Sequence, residues 1–315
     1  MNIIDIADLD CIFLTYGEPK AEEFWIKIQN MVPWVVRVDG IKGSDAAHKA
    51  AAAACDTERF VLIDGDNIPD QDFFNQQLEL DETNYNKVFR WRARNHINGL
   101  VYGNGGISCW TKTFVNNMRT HEASDGSADT AVEFCFHNDY WAMHNCYSTT
   151  YPNATPEQAW RAGFREGVKM CLNQGVKPAL QEFEQNVVSS NYDKLCIWMS
   201  VGADVDNGDY ARVGAMMGTY ATMLGDEKNE YGLKDFNYAM VQDFAQLASL
   251  WDLSAAQCDP QQIVESGYKL EDALSRRLGL PISSLNASAS HFFKSHYNSR
   301  HRNRSIMSPE GTVSD

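Results

Sequence analysis

"RFVLIDGDNIPD", residues 59–70, drives an apolar run at 60–63 straight into Asp64-Gly65-Asp66. A short apolar run bounded by turn residues reads as a strand buried on both faces. Working outward, "DCIFLTYGEP" reads as a strand over 11–16, stopped by Gly17 and Pro19. "AEEFWIKIQNM" carries Phe24, Trp25, Ile28 and Met31 at helical spacing. "WVVRVDG" is a second strand ending in Asp39-Gly40, and "SDAAHKAAAAAC" an alanine-rich helix with Ser44 or Asp45 as N-cap. The order β-α-β-α-β predicts a parallel sheet with crossover helices. Ligands of such sheets sit at the carboxyl ends of the strands. Three loops meet there: residues 15–18, Asp39-Gly40 and Asp64-Gly65-Asp66.

Beyond Asp70 the pattern changes. "KVFRWRARN" alternates Phe89, Trp91 and Ala93 with Arg90, Arg92 and Arg94, the period of a strand. In "GLVYGNGGISCW", Gly103-Asn104-Gly105-Gly106 predicts a turn with positive φ or close backbone approach. From Pro156 onward the chain reads mostly as helix, over 156–172, 178–200, 209–224, 236–251 and 266–279. The expected organisation is an α/β domain over 1–155, a helical region over 156–305 and a flexible tail over 306–315.

Composition narrows the classes. The 315 residues are 44% hydrophobic, enough for a core, and carry a net charge of −15. That charge excludes a protein basic throughout. The eight cysteines form no CxxC pair, which argues against a zinc ribbon. No signal peptide and no apolar stretch of about 18 residues is evident, so a cytoplasmic protein with free thiols and no membrane contact is expected. Residues 276–304 hold Arg276, Arg277, Lys294, Arg300, Arg302 and Arg304 without an acid. A basic segment on an acidic body suits a polyanion, or is a solvated tail.

Asp64 and Asp66 stand two apart and share a side of the strand. Two carboxylates held close are costly unless a cation lies between them. Mg²⁺ and Mn²⁺ take oxygen ligands and bridge phosphate oxygens, and Gly65 lets backbone or ligand approach. The pair therefore points to a metal–diphosphate site, the plainer reading being a polar turn.

This pattern resembles the GT-A nucleotide-sugar glycosyltransferases, whose Asp-x-Asp motif ends a strand of a Rossmann-like sheet. The longer runs "VFRWRARNHINGLVYGNGGISCW" and "PEQAWRAGFREGVKM" resemble a tailed-bacteriophage group of these enzymes. The Asp-x-Asp likeness covers about residues 9–150, and the phage-group likeness reaches to about 210. The resemblance implies a mainly parallel GT-A sheet with helices on both faces, followed by a mostly helical part. It implies a UDP-sugar donor, with glucose or arabinose as sugar, and Mn²⁺ or Mg²⁺ held by Asp64 and Asp66. Thr15, Tyr16, Gly17 and Asp39 would lie near base and ribose. Some phage sugar transferases act on hydroxymethylated bases, so 5-hydroxymethylated cytosine in double-stranded DNA is the expected acceptor, met by residues 276–304 with His291, Phe292, Phe293 and Tyr297.

GT-A enzymes often take a further histidine ligand. His137 is preferred over His144, with Glu133 four residues earlier to orient it or to act as general base. Asp139 is the rival base and Asp129 a weaker one. Arg90, Arg92 and Arg94 match phosphate or an exposed strand face. Asn104, Gly105, Gly106 and Trp110 would line the pocket. Arg161 and Arg165 share a helix face and either hold the diphosphate or pair with Glu157 and Glu166. The rival readings are transfer to a glycan, protein or small molecule, a nucleotidyltransferase with the same carboxylate pair, and a non-catalytic phage protein.

Overall fold

A computed structural model describes residues 2–103, 106–120, 138–173, 176–187, 189–225, 241 and 243–297. They fall into two compact units, one drawn from residues up to 95 and 101–151, the other from 96–100 and 152–297. The first unit is α/β. Its elements in chain order are β1 (Asn2–Asp5), β2 (Asp10–Thr15), α1 (Ala21–Met31), β3 (Val36–Asp39), α2 (Ser44–Ala53), β4 (Arg59–Asp64), β5 (Asn67–Pro69), β6 (Gln77–Leu80), β7 (Val88–Asn95), β8 (Val101–Tyr102), β9 (Ile107–Thr111), α3 (Lys112–Asn117) and β10 (Tyr140–Thr150).

The main sheet runs β3-β2-β4-β9-β7-β10-β5, with β8 on β7, and β1 pairs with β6 as a separate ribbon. β2 lies parallel between β3 and β4, as the β-α-β-α-β order requires. β10 is parallel to β7, whereas β9 runs antiparallel to both β4 and β7, and β5 antiparallel to β10. The sheet is thus mixed, which corrects the mainly parallel expectation. The reversal follows from connection length: the chain from β7 to β9 is too short for a crossover helix, so it returns as an antiparallel partner. β8 and β9 are two pieces of that one return. From Ala93↔Tyr102 to Phe89↔Cys109, β7 steps four residues and the returning chain seven, so the register shifts by three between β8 and β9. Gly103, which follows β8, has φ +67°.

β4 sits inside the sheet and both its faces are covered. Val61 and Ile63 pack with Phe24 and Ile28 of α1, Phe73, Phe89 and Trp91. Phe60 and Leu62 pack on the other side with Ala51 and Ala52 of α2, Trp110 and Val115. Helices therefore cover both faces, and the unbroken apolar run of β4 is the signature of that double burial. Each such side chain contributes about 1.5–3 kcal/mol by leaving water. Buried Arg59 anchors the start of the strand: its guanidinium donates to the Lys87 and Tyr85 carbonyls and lies over the Phe89 ring.

The second unit is helical, with α4 (Pro156–Cys171), α5 (Phe183–Asn186), α6 (Ser189–Ser200), α7 (Gly208–Leu224), α8 (Phe244–Ser254), α9 (Pro260–Leu278) and α10 (Ala287–His296). Thr155 caps α4 with Pro156 at its first position, and Asp259 with Gln262 forms a capping box that starts α9 six residues before the expected Ser266. Asp243 caps α8, so that helix begins at Phe244 rather than 236, residues 236–240 lying outside the described chain. The expected helix over 178–200 is broken into α5 and α6. Among the described residues no helix is long and apolar enough to cross a membrane.

Nearly all of α7 is buried, and α4 lies against it backbone to backbone. A Cβ on Gly163 would stand 1.9 Å from the Ala211 carbonyl oxygen, and one on Gly214 2.2 Å from that of Trp160. Gly167 and Gly218 meet Ala215 and Phe164 in the same way. We expect Gly163→Ala to cost at least about 3 kcal/mol, since overpacking here meets backbone that cannot turn away. Gly267→Ala meets only the Val213 side chain, at 3.1 Å, and gains about 1 kcal/mol of helix propensity, so its net effect stays small. Urea midpoints of the two variants check the contrast.

The turn before β4 is tied to β2 by Asp10, whose carboxylate accepts from the Asp56 and Thr57 amides at 2.7 Å and the Thr57 hydroxyl at 2.9 Å. Burial raises its pKa, but these bonds outweigh it and leave the group lowered from 3.8. A lowered folded pKa gives stability that is present above the unfolded value and lost as pH falls. Asp10→Asn should therefore cost about 1–2 kcal/mol at pH 7, with the gap to wild type closing below about pH 3 in pH-dependent urea melts.

Candidate functional site

The carboxyl edge of β3-β2-β4 collects the first group of side chains. The Thr15 hydroxyl, at the end of β2, donates to Asp39 at the end of β3. Arg37 donates to Thr15 at 3.1 Å, to Glu22 at 2.5 Å, and stands 3.7 Å from Asp39. Parallel pairing of β2 with β3 sets Thr15 opposite Asp39, so this contact is a direct product of strand register. Gly17 and Gly40 take φ of +76° and +74° and turn the chain out of each strand end, with Tyr16 exposed just before Gly17.

At the end of β4 stand Asp64, Gly65 and Asp66. Both carboxylates are half-buried. Glu18 from the loop after β2 leans over them: its carboxylate accepts from the Tyr16 amide at 2.7 Å and lies 2.6 Å from where a Cβ on Gly65 would be. A side chain at position 65 would thus displace the Glu18 carboxylate, while the backbone angle there makes no demand for glycine. Burial pushes Asp66 up to about 7, and the charges of Asp64 and Glu18 push the same way, against a hydrogen bond from Thr150. Asp64 is also raised by burial, with Arg90 and His48 opposing. His48 is lowered by burial, its Nδ1 2.7 Å from the Ser44 carbonyl and its ring edge-on to Trp110. The two aspartates are thus unequal: Asp64 has a cation nearby, while Asp66 has two acids.

Arg90 reaches its position because β7 alternates. Phe89 and Trp91 enter the α1-side core, leaving Arg90 toward Asp64, where it also meets the Tyr140 hydroxyl. Arg92 stands 2.8 Å from His144 Nδ1. A guanidinium has no acceptor, so this nitrogen accepts and faces a positive charge. That arrangement turns His144 away from the role of metal ligand. His137, Glu133, Asp129, Asn104 and Gly105 lie outside the described residues. Among the described residues no three His, Cys, Asp or Glu side chains gather as a cation site. Asp64 and Asp66 still fit the way Mg²⁺ or Mn²⁺ is held by one or two carboxylates, with phosphate oxygens and water completing the shell.

Two expected site residues of the first unit, Asp139 and Trp110, lie away from this edge. Asp139 precedes β10 at its amino end, where its carbonyl accepts from Val88 and its carboxylate pairs with Lys87 at 2.8 Å. Register carries Tyr140 through Val88 and Trp110 to Phe60, four residues from Asp64, so Asp139 lies level with Arg59, five residues or roughly 16 Å from Asp64 along the strand. Asp139 is therefore not a general base for this site. Trp110 is a core residue, 1% exposed, its indole donating to Ser108 at 2.7 Å. Arg161 and Arg165, in the second unit, lie over the Phe244 ring at 5.1 and 5.0 Å. Arg161 pairs with Glu157 at 3.7 Å and Arg165 donates to the Val241 carbonyl.

The basic segment is also less free than its composition implies. Arg276 pairs with Asp272 one turn earlier, and Lys294 pairs at 2.8 Å with Asp204, both partners coming from outside 276–304. Arg300, Arg302 and Arg304 lie outside the described residues. Sequence reading named Arg90 for phosphate or an exposed face, not as the neighbour of Asp64, and did not name Glu18 as a neighbour of Asp66. The only signal for Glu18 was its place in the loop after the first strand.

No family model matches the chain, and no curated protein matches it. Among solved structures, the crystal structure of HddC from Yersinia pseudotuberculosis aligns over 46% of this chain and 72% of that one, at 15% identity and a TM-score of 0.26. A likeness of that size carries no argument about fold or activity.

Crowding of three acids gives a pH signature. Asp66's raised pKa means a neutral form favoured in the fold; ionisation costs stability as pH rises from about 4 through about 7. In EDTA, Asp66→Asn should match wild type at pH 4 and exceed it at pH 8 by on the order of 1 kcal/mol. A less stable variant at pH 8 overturns this electrostatic account.

Proposed function

We propose that the chain is a metal-dependent glycosyltransferase that moves a sugar from a nucleoside diphosphate, UDP being the expected nucleotide, to an acceptor hydroxyl. The observation that carries this reading is the pair Asp64 and Asp66, half-buried at the carboxyl end of β4, with Asp66 held up to about 7 by burial and neighbouring acids. Such a pair is unfavourable alone and favourable around a cation. The GT-A likeness of the sequence, with the β3-β2-β4 order that brings Thr15 and Asp39 to the same edge, supports the same donor site.

In this reading Asp64 and Asp66 hold Mn²⁺ or Mg²⁺, which when bound neutralises charge growing on the diphosphate as the glycosidic bond breaks. Arg90 opposes the burial that raises the Asp64 pKa and so favours its ionised form. Thr15, Asp39 and exposed Tyr16 stand where the base and ribose are received, and Gly17 leaves room for them. The acceptor hydroxyl attacks the anomeric carbon and the nucleoside diphosphate departs. A proton leaves the hydroxyl, and Glu133 is the base retained in this reading, Asp139 lying at the amino end of β10 beside Lys87. The acceptor carried forward is 5-hydroxymethylated cytosine in phage DNA. With Arg276 and Lys294 already paired, the DNA reading rests mainly on Arg300, Arg302 and Arg304.

The test is a thermal-shift panel of UDP- and GDP-sugars with and without Mn²⁺, followed by sugar transfer to hydroxymethylated DNA. A binding nucleotide sugar raises Tm by mass action, about 2.7 kcal/mol at a hundredfold excess over Kd. Asp66→Ala should abolish the Mn²⁺-dependent part and leave the fold intact. Absence of any shift or turnover rejects the enzyme; release of pyrophosphate from a nucleoside triphosphate and a sugar phosphate moves the site to nucleotidyl transfer. Acceptor binding that ignores salt rejects DNA.

A further inference from the structure

Next to the carboxylates the first unit keeps two polar side chains that bond to nothing. Asn67, the residue after Asp66, is 0% exposed, and neither its amide nitrogen nor its amide oxygen has a hydrogen-bond partner. Ser148 on β10 is 1% exposed and its hydroxyl likewise has no partner. Buried polar side chains are almost always bonded, because the interior offers no water to replace a lost bond. Two exceptions within one short ladder need a cause.

Their placement supplies one. β5 pairs with β10 in regular register, Asn67 opposite Thr150 and Pro69 opposite Ser148, so Asn67, Thr150 and Ser148 share a face. The Thr150 side chain hydrogen-bonds Asp66, and the Tyr151 amide donates to the Asp66 carbonyl at 2.8 Å. The orphaned amide and hydroxyl therefore stand around the group that fixes Asp66. Gly106 forms the wall opposite: a Cβ there would be 2.6 Å from the Asn67 amide nitrogen. The side chain is pinned in place without being bonded.

We propose that Asn67, with Ser148 beside it, is the subsite for the hydroxyl-rich sugar of the donor. This rests on the glycosyltransferase reading and adds to it the residues that grip the sugar. The chemistry matches: a primary amide offers two donors and an acceptor, a serine hydroxyl offers both, and a sugar hydroxyl both gives and takes a hydrogen bond. Adjacent hydroxyls satisfy amide nitrogen and oxygen together, which neither a phosphate nor an apolar group does. Both groups are closed to solvent in the free chain, so binding has to part Gly106 from Asn67. A site that leaves its polar groups unbonded until the ligand arrives rejects analogues lacking the hydroxyls.

The test uses the full chain, Asn67→Leu, and Asn67→Ala as the variant that avoids added bulk. Tm is measured for each alone, with UDP and Mn²⁺, and with UDP-glucose and Mn²⁺. Expected is an unchanged or higher Tm for Asn67→Leu alone, a UDP shift like wild type, and at least a tenfold loss of the extra affinity conferred by the sugar. Asn67→Ala loses the same increment whatever its own Tm. A lowered Tm with the sugar increment intact in either variant makes Asn67 a structural, water-bonded amide and overturns the proposal. Wild type that responds to UDP but gains nothing from the sugar also overturns it. Wild type that binds neither removes the glycosyltransferase reading itself, and the sugar subsite with it.

Discussion

Desolvation of negative charge at the end of β4 is the constraint around which the first unit is arranged. The strand must be apolar along its length because α1 covers one face and α2 with α3 the other. The same burial makes its terminus a poor place for carboxylates, and the chain puts two there with a third, Glu18, against Gly65. Local propensity, packing and patterning agree everywhere else along the strand. A single disagreement of this kind marks function more often than error. Arg90 partly offsets it for Asp64, while for Asp66 the neighbouring charges of Asp64 and Glu18 add to the effect of burial.

The second unit is governed by a different constraint, the distance between two helix axes. Gly163 and Gly167 on α4 face α7, and Gly214 and Gly218 on α7 face α4, so that each backbone touches the other. Small residues four apart allow that approach and exclude side chains from the seam. The remaining contacts of α7 are filled by bulky groups such as Trp160, whose indole lies against Met217 sulfur at 3.3 Å. The long basic side chains of α4 then have no seam to enter. Arg161 and Arg165 settle over Phe244 instead, a stacking role that their i, i+4 spacing allowed but did not specify.

Much of this was legible in the sequence, and the limits have physical causes. β2-α1-β3-α2-β4 was readable because each element carries its own period and its own stop, Gly17, Gly40 or Asp64. The antiparallel return of β9 was not, because "GNGGISCW" states that the chain bends and not which neighbour it then meets. Asp139 was misplaced for the same reason: a carboxylate's number along the chain does not reveal which edge of the sheet it reaches until β10 is paired with β7. Helix ends followed caps that sequence reading passed over, Asp243 and Asp259 above all. Asp64 and Asp66 were visible because they break a pattern. Glu18 and Asn67 were not, since each is ordinary in sequence and unusual only by what surrounds it; Arg90 stood out with Arg92 and Arg94, but not as the neighbour of Asp64.

The basic segment shows how far composition can mislead about electrostatics. Counting 276–304 alone gives a stretch of cations without acids, yet Asp272 lies just before it and Asp204 far before it. Helix periodicity brings Asp272 to Arg276, and packing brings Asp204 to Lys294, whose aliphatic stem also lies against Gly99. A lysine half-covered by protein and paired with a carboxylate that is 9% exposed contributes little to a field felt by a distant polyanion. The exposed pair Arg276–Asp272 is neutral as a unit at the range where DNA would sense it. The composition of 276–304 therefore overstates the positive field of Arg276 and Lys294, and the acids gathered at the end of β4 add none.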